Sequence, residues 1–438
     1  MPLIATKGAA SAQGFGLFSA KLILGAPYWI GLLDGTGNQF GTAVSVDGLG
    51  NVYIGSQSTI SGNACLLVAK YNTLGVIQWQ RTLSTSFSIV GRSISADSAG
   101  NVYVAGIAAP SGLEFQIAKY DTTGAIQWQR SLATDSGDFD IGVAVHSSGN
   151  VYVCGPSTVG GQKGFQIVKY NSSGTIQWQR RLASALDSYG QAIAVDSSQN
   201  VYVCGRMESG AGTTDIQLAK YDSSGTIQWQ RKLDAAGVDD LGRAISFDSS
   251  GNVYICGSTN ESGTFALLIA KFNSSGTLQW QKRLGDASND KGYSIAVDAD
   301  ANVYVAGRSI TGGGNRLQIA KYDTSGTIQW QRRLGATITD VKNAIAVDFS
   351  GNVYVCGTFD AGSNSQFLFA KLPPDGSLTG TYTVNGFSID YQSTSLTDTT
   401  STLIATTSVL TDASTSLTDA TTTYTDAASS LTSSVTTI

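Results

Sequence analysis

Between residues 294 and 331 the chain reads SIAVDADANVYVAG, a short variable stretch, then LQIAKYDTSGTIQWQ. Apolar and polar side chains alternate with period two in runs of about five residues, and each run ends at Asp, Ser, Asn or Gly. Period two is the signature of a strand with one buried face, and Asx/Ser/Gly clusters are tight-turn chemistry. The text therefore predicts four consecutive strands, SIAV, NVYVAG, LQIAKY and TIQWQ, joined by hairpins.

The same paragraph of sequence recurs. Aligned on NVY, its copies begin at Asn51, Asn101, Asn150, Asn200, Asn252, Asn302 and Asn352, at spacings of 50, 49, 50, 52, 50 and 50 residues. A four-stranded unit of about fifty residues repeated seven times predicts an all-β protein, a seven-bladed β-propeller. The heptapeptide GTIQWQR occurs identically at 174–180, 225–231 and 326–332 because each blade needs the same outer strand. The chain has seven tryptophans, Trp29, Trp79, Trp128, Trp178, Trp229, Trp280 and Trp330. The last repeat reaches KLPPDGSLTG without one, so the strand around Trp29 is expected to complete the seventh blade and close the ring without a covalent bond, removing the edges an open array would expose.

These repeats resemble the seven-bladed propellers built from SBBP repeats, and the resemblance spans residues 27–372. It implies a fold and leaves the activity open. AKYDTTGAIQW (118–128) also resembles the tryptophan-docking motif of pyrroloquinoline-quinone dehydrogenases, in which Ala, Asp, Gly and Trp lock neighbouring blades. The vicinal cysteines of those enzymes are missing, so the resemblance supports a docking role for Trp and no quinone cofactor.

Composition sharpens the picture in three places. Only 13% of residues are charged while 51 are Gly, which suits short strands and turns. Residues 385–438 carry five Asp and no Lys, Arg or Glu, and the remainder is balanced at 27 acidic to 27 basic residues, so no basic stripe for nucleic acid is expected. No run approaches 18 apolar residues and the N-terminus lacks the pattern of a secretory signal, so neither membrane insertion nor export is expected. The five cysteines are odd in number, and four of them alternate with Ala at one position of the VYVCG strand. They read as small buried strand residues.

Candidate chemistry is sparse. His146 is the only histidine and replaces the turn Asp of the other six repeats, so a histidine-centred catalytic or metal site has one candidate on a turn position. Those aspartates read as Asx-turn caps, and DADAN (298–302) lacks the acid that completes a calcium loop. A lysine recurs at 70, 119, 169, 220, 271, 321 and 371, read as packing or ion pairing rather than an anion ring. No catalytic residue, cofactor or metal is expected. The hairpins VDSSGNV and YDTSGT barely vary, whereas the connections on the opposite face differ in every copy. Binding is therefore expected on that second face, with Arg206, Glu208, Asp239, Asp240, Asn260, Glu261, Arg308, Asn315 and Arg316 as candidates.

Beyond the repeats, Leu396, Leu403, Leu410, Leu417, Tyr424, Leu431 and Ile438 are each seven residues apart, with small residues midway between them. One strand would put successive members on opposite faces, whereas a helix keeps them on one stripe. The expected organisation is an N-terminal docking segment (1–24), a propeller (25–374), a linker (375–394) and a helical, coiled-coil-like oligomerisation stalk (395–438) that gathers chains, as a trimer.

The two ends resemble virion structural proteins of tailed phages of marine bacteria, carried by MPLIATKGAASAQGFGLFS at the front and by PDGSLTGTYTVNGF with SSLTD-type heptads at the back. That resemblance implies a virion location, a front segment that contacts other virion proteins, and a tail-fibre or similar appendage whose loop face meets a host-surface glycan or another virion protein. The alternatives are a secreted or cell-surface bacterial adhesin and an enzyme acting on polysaccharide; the latter would need paired carboxylates across a cleft, for which Asp239, Asp240 and Glu208 are the available residues.

Overall fold

The computed structural model describes residues 28–437 except 35–38, 61–62, 85–88, 109–112, 135–139, 210–211, 235–236, 287–288, 312–313, 336–342, 361–364, 395, 403, 408–410, 415–418, 422–424 and 429–431. The expected docking segment, 1–24, lies outside the described residues.

Period-two text becomes strand throughout. After β1 (Trp29–Asp34), the first blade is β2 (Gln39–Val46), β3 (Val52–Ile60), β4 (Asn63–Tyr71) and β5 (Ile77–Ser84), a meander in chain order. Blades two to six repeat it with β6–β9 (89–133), β10–β13 (142–183), β14–β17 (188–234), β18–β21 (240–285) and β22–β25 (291–334). Blade seven is β26 (Ala344–Val347), β27 (Val353–Asp360) and β28 (Ser365–Leu372), and its fourth strand is β1, antiparallel to β28 with Trp29 opposite Lys371. This is a seven-bladed propeller closed by its N-terminal strand.

Apolar clusters lie between blades, each joining the NVY tyrosine of one repeat to the aliphatic face of the next blade. Tyr53, Tyr103, Tyr152, Tyr202, Tyr254, Tyr304 and Tyr354, the tyrosines of the NVY triplets, are all fully buried. Tryptophan then ties each outer strand to the following blade. The indole N–H of Trp79 donates to the Thr122 carbonyl (3.0 Å), Trp128 to Ser172, Trp178 to Ser223, Trp229 to Ser274, Trp280 to Thr324 and Trp330 to Pro374. Trp29 closes the circle onto Thr73 (3.3 Å). The hairpin glycine it covers has two reasons to be glycine. Gly225 has φ +80°, and a Cβ there would stand 2.9 Å from the Trp178 ring. The next arginine reinforces the joint: Arg180 Nε donates to the Gly225 carbonyl at 2.6 Å.

The C-terminal region departs from expectation. Residues 375–394, expected as linker, contain the hairpin β29 (Gly380–Val384) and β30 (Phe387–Ser393). Asn385 and Gly386 have φ of 49° and 81°, the two positive values a tight two-residue hairpin turn requires. Val384, Ile389 and Tyr391 bury their side chains, and β30 pairs with β25 as a fifth strand of blade six.

The heptad segment was expected as a helix, yet its described residues are extended. They form β31 (Thr397–Thr400), β32 (Ile404–Thr407), β33 (Thr411–Ser414), β34 (Asp419–Thr421), β35 (Thr425–Ala428) and β36 (Thr432–Thr437). Each pairs antiparallel with the outer strand of one blade, visiting blades five, four, three, two, one and seven in turn. Register advances by seven: Gln392 faces Arg333, Thr399 Arg283, Thr406 Lys232, Ala413 Arg181, Ala420 Ser131, Ala427 Thr82 and Ser434 Leu32. Seven residues of extended chain reach at most about 25 Å, so one heptad supplies a short strand and the step to the next blade. The period counts blades.

Candidate functional site

The hairpins between the first and second strands of the blades ring one mouth of the axial channel, a funnel of about 800 Å³. Its acidic residues are committed to the fold. Asp47 Oδ1 accepts the backbone N–H of Leu49 and of Asn51, both at 2.9 Å. Its Oδ2 accepts Asn51 Nδ2 (2.8 Å) and the buried Tyr53 hydroxyl (2.9 Å). Asp196, Asp248, Asp298 and Asp348 repeat this four-bond pattern. The DADAN loop is therefore an Asx turn. Among the described residues no group of three or more His, Cys, Asp or Glu is placed to hold a metal ion.

Blade three solves the same problem differently. His146 stands at the Asp position and caps only the Ser148 N–H through Nδ1 (3.1 Å), leaving the Tyr152 hydroxyl without its usual acceptor. Gln199, from the hairpin of blade four, supplies one. Its Oε1 accepts Asn150 Nδ2 (2.8 Å), the Tyr152 hydroxyl (3.1 Å) and Lys169 Nζ (3.3 Å). Gln199 occupies the turn position that is glycine in five repeats, with φ 62°; the side chain thus justifies a backbone conformation that L-residues avoid.

The recurrent lysines form no anion ring. Each Nζ sits over the NVY tyrosine of its own blade, between 5.0 Å (Lys321) and 5.7 Å (Lys371) from the ring centre. Lys169 also donates to the Ser223 carbonyl of the next blade, which Trp178 shares. The cysteines are all buried and free, and burial pushes the Cys154 and Cys256 thiols up to about 12.

On the opposite face the nine candidate residues fall into separate local arrangements. Arg206 lies 4.5 Å from the Tyr189 ring centre, and Glu208 Oε1 accepts the Tyr189 hydroxyl at 3.4 Å. Asp239 caps the preceding β15–β16 loop through Thr214 N–H (3.1 Å), and its carbonyl accepts the Asn260 N–H. Asp240 is fully buried at the start of β18. Glu261 Oε2 accepts the Thr402 N–H (3.0 Å) and the hydroxyls of Ser401 and Thr402, holding the C-terminal segment against blade five. Arg308 is buried and donates to the Asn289 carbonyl at 3.1 Å. Asn315 and Arg316 belong to the β23–β24 hairpin, and burial together with the neighbouring Arg333 lowers the Arg316 pKa. Asp239, Asp240 and Glu208 thus serve three different local structures.

A position that sequence reasoning passed over lies nearer the axis. On this side the channel holds a chamber of about 230 Å³. Just before the aliphatic residue of each inner strand, blades one, two, four, five and six carry a β-bulge, which leaves Thr42, Arg92, Gln191, Arg243 and Tyr293 as the extra residue; Ile141 and Asn343 occupy the equivalent places. All line the chamber. Neighbouring strand text hardly varies, yet this position differs in nearly every blade, which is the signal that could have found it.

Comparison with known proteins supports the fold. The β-propeller repeat family (SBBP) matches residues 228–263, 279–314 and 329–358, and the family described as outer membrane protein assembly factor BamB matches 113–235. The chain therefore carries SBBP-type β-propeller repeats. Among curated proteins none matches it. Similar solved structures include Sqt1 of Chaetomium thermophilum bound to the N-terminus of ribosomal protein L10, at 12% identity over 77% of this chain and 98% of that one, TM-score 0.43. A Dyadobacter fermentans protein of unknown function is 11% identical over 79% of this chain and 98% of its own, TM-score 0.46. The polysaccharide lyase Uly1 is 11% identical over 76% of this chain and 89% of its own, TM-score 0.50. At these identities the likeness concerns fold alone.

Proposed function

We propose that this chain is a non-enzymatic virion protein of a tailed phage, a tail-fibre or similar appendage subunit, whose individual loop face binds a host-surface glycan or another virion protein. One observation carries the binding part. The uniform hairpin face spends its carboxylates and lysines on its own turns and tyrosines, whereas the opposite face changes from blade to blade in its loops and at the chamber. A rigid ring that varies one face only is built to present it. The virion location rests on the resemblance of the two ends to phage appendage proteins, and by it residues 1–24 contact other virion proteins.

The test is adsorption of the labelled full chain to a panel of marine bacterial cells and to purified phage particles. Saturable adsorption that periodate oxidation of surface glycans abolishes, and that is lost when loops 206–215 and 258–264 are replaced by Gly/Ser, supports the reading. Adsorption to neither, or adsorption indifferent to those loops, refutes it. Antibody labelling of the bacterial surface rather than the particle would favour a cell-surface adhesin.

A further inference from the structure

We propose that the chamber at the centre of the individual face seats a small oxyanion group, a carboxylate or a sulfate, carried by an acidic glycan. This rests on the reading of that face as the binding face and specifies the chemistry it recognises.

Charge is the first argument. Among the described residues, the only charged side chains lining the chamber are Arg92 and Arg243. The carboxylate that acts on Arg92 electrostatically, Asp140, stands outside the lining and accepts Gln191 Nε2 at 2.9 Å. The wall therefore carries two half-buried guanidinium groups and, among its described residues, no carboxylate, an arrangement that an added anion stabilises. Both guanidinium groups also keep a buried Nε that has no hydrogen-bond partner among the described residues.

Shape is the second. A guanidinium offers parallel N–H donors that match carboxylate or sulfate oxygens two at a time. Arg243 lies over the Tyr293 ring, its Cζ 5.1 Å from the ring centre, a contact that makes no use of its N–H donors. Neutral polar groups stand beside it. Asn343 is buried, donates through Nδ2 to the Gly307 carbonyl at 3.0 Å, and has no partner for Oδ1 among the described residues. The bulges explain how one blade position can be re-aimed at the axis while the strand before and after keeps its pairing. A volume of about 230 Å³ lies below the roughly 300 Å³ where drug-sized pockets begin, so one charged sugar unit fits and a longer segment has to continue across the loops.

The experiment is ligand-observed NMR titration of the full chain with glucuronate, glucose 6-sulfate and glucose, at 50 and 500 mM NaCl. Saturable binding of one or both charged sugars, weakened at high salt and at least tenfold by Arg92→Gln or Arg243→Gln, is expected, with glucose unbound; which charged sugar binds distinguishes carboxylate from sulfate. Arg92→Lys and Arg243→Lys, which keep the charge and lose the fork, should fall between and control for folding through an unchanged unfolding midpoint. No binding of either charged sugar, equal binding of glucose, or binding indifferent to all four variants overturns the proposal. If cell adsorption persists in those cases, the loop face still binds and only its oxyanion-binding centre is wrong; if adsorption is absent too, both readings fall.

Discussion

Replacing Gln199 with glycine separates two effects that the wild-type residue combines. Glycine relieves the positive φ of 62°, a gain of about 1 kcal/mol. It also removes the acceptor of the Tyr152 hydroxyl, which is fully buried, and of Asn150. Leaving a buried donor unsatisfied costs about 1–3 kcal/mol, so Gln199→Gly alone should destabilise by about 1 kcal/mol net. With His146→Asp in place, the new carboxylate makes the bonds that Asp47 or Asp248 makes in its own blade, and the glycine then costs nothing. In that background the same replacement should stabilise by about 1 kcal/mol. The difference, a coupling of about 2 kcal/mol, is read from a double-mutant cycle of urea unfolding midpoints at constant slope. Additivity within about 0.5 kcal/mol would refute the claim that Gln199 stands in for the missing aspartate.

Gly225→Ala combines φ +80° with a Cβ 2.9 Å from the Trp178 ring and should destabilise by more than about 2 kcal/mol, whereas Gly212→Ala, at φ +79° with nothing within 4 Å, should cost about half as much; equal thermal shifts would sink the docking argument. Truncation after residue 394 strips strands from the outer edges of six blades and should raise the solution mass by edge-to-edge association; light scattering showing a trimeric full chain and a monomeric truncation would instead restore the stalk. Burial raises the thiol pKa of Cys65 to about 11 and of Cys154 and Cys256 to about 12. At pH 8 a thiol reagent should react only after unfolding. Because these groups ionise first in the unfolded chain, at about 8.5, their contribution to stability is complete below that pH and declines as pH rises towards the folded values; a midpoint flat from pH 8 to 11 would contradict this.

The propeller was legible because its information is local and repeated: NVY every fifty residues or so and one Trp per repeat. Even the absent Trp after Leu372 pointed to Trp29. The described residues of the tail depart from the expected helix for a physical reason. A seven-residue period excludes one continuous strand, and the argument for a helix assumed that the segment is one element. Here each heptad is a separate strand on a separate blade, so residues seven apart never share a strand and alternation along one imposes nothing on the series. Asn385-Gly386, a hairpin signal in plain view, went unused because the surrounding Thr-rich text looked like linker. The nine candidate loop residues were chosen for variability and charge, and several turn out to anchor loops, as Asp239 and Glu261 do. The chamber residues escaped because Arg92 and Arg243 sit 151 residues apart, each looking like an ordinary strand residue until the ring brings them to one axis.

Blade seven is assembled from residues 344–372, from Trp29–Asp34 and from Thr432–Thr437, with Trp29 lying opposite Thr437. Six blades can form their first four strands from neighbouring text as the chain leaves the ribosome, but the seventh joins residues 29–34 to residues 344–372. At roughly 5–20 residues per second, translation from Trp29 to Leu372 takes on the order of 20–70 s. For that interval Trp29–Asp34 has no partner strand at β28, and the ring cannot close before blade seven is made. The fold is thus timed by its own connectivity, and a nascent chain stalled before residue 344 would expose the flank of blade six to whatever strand it meets first.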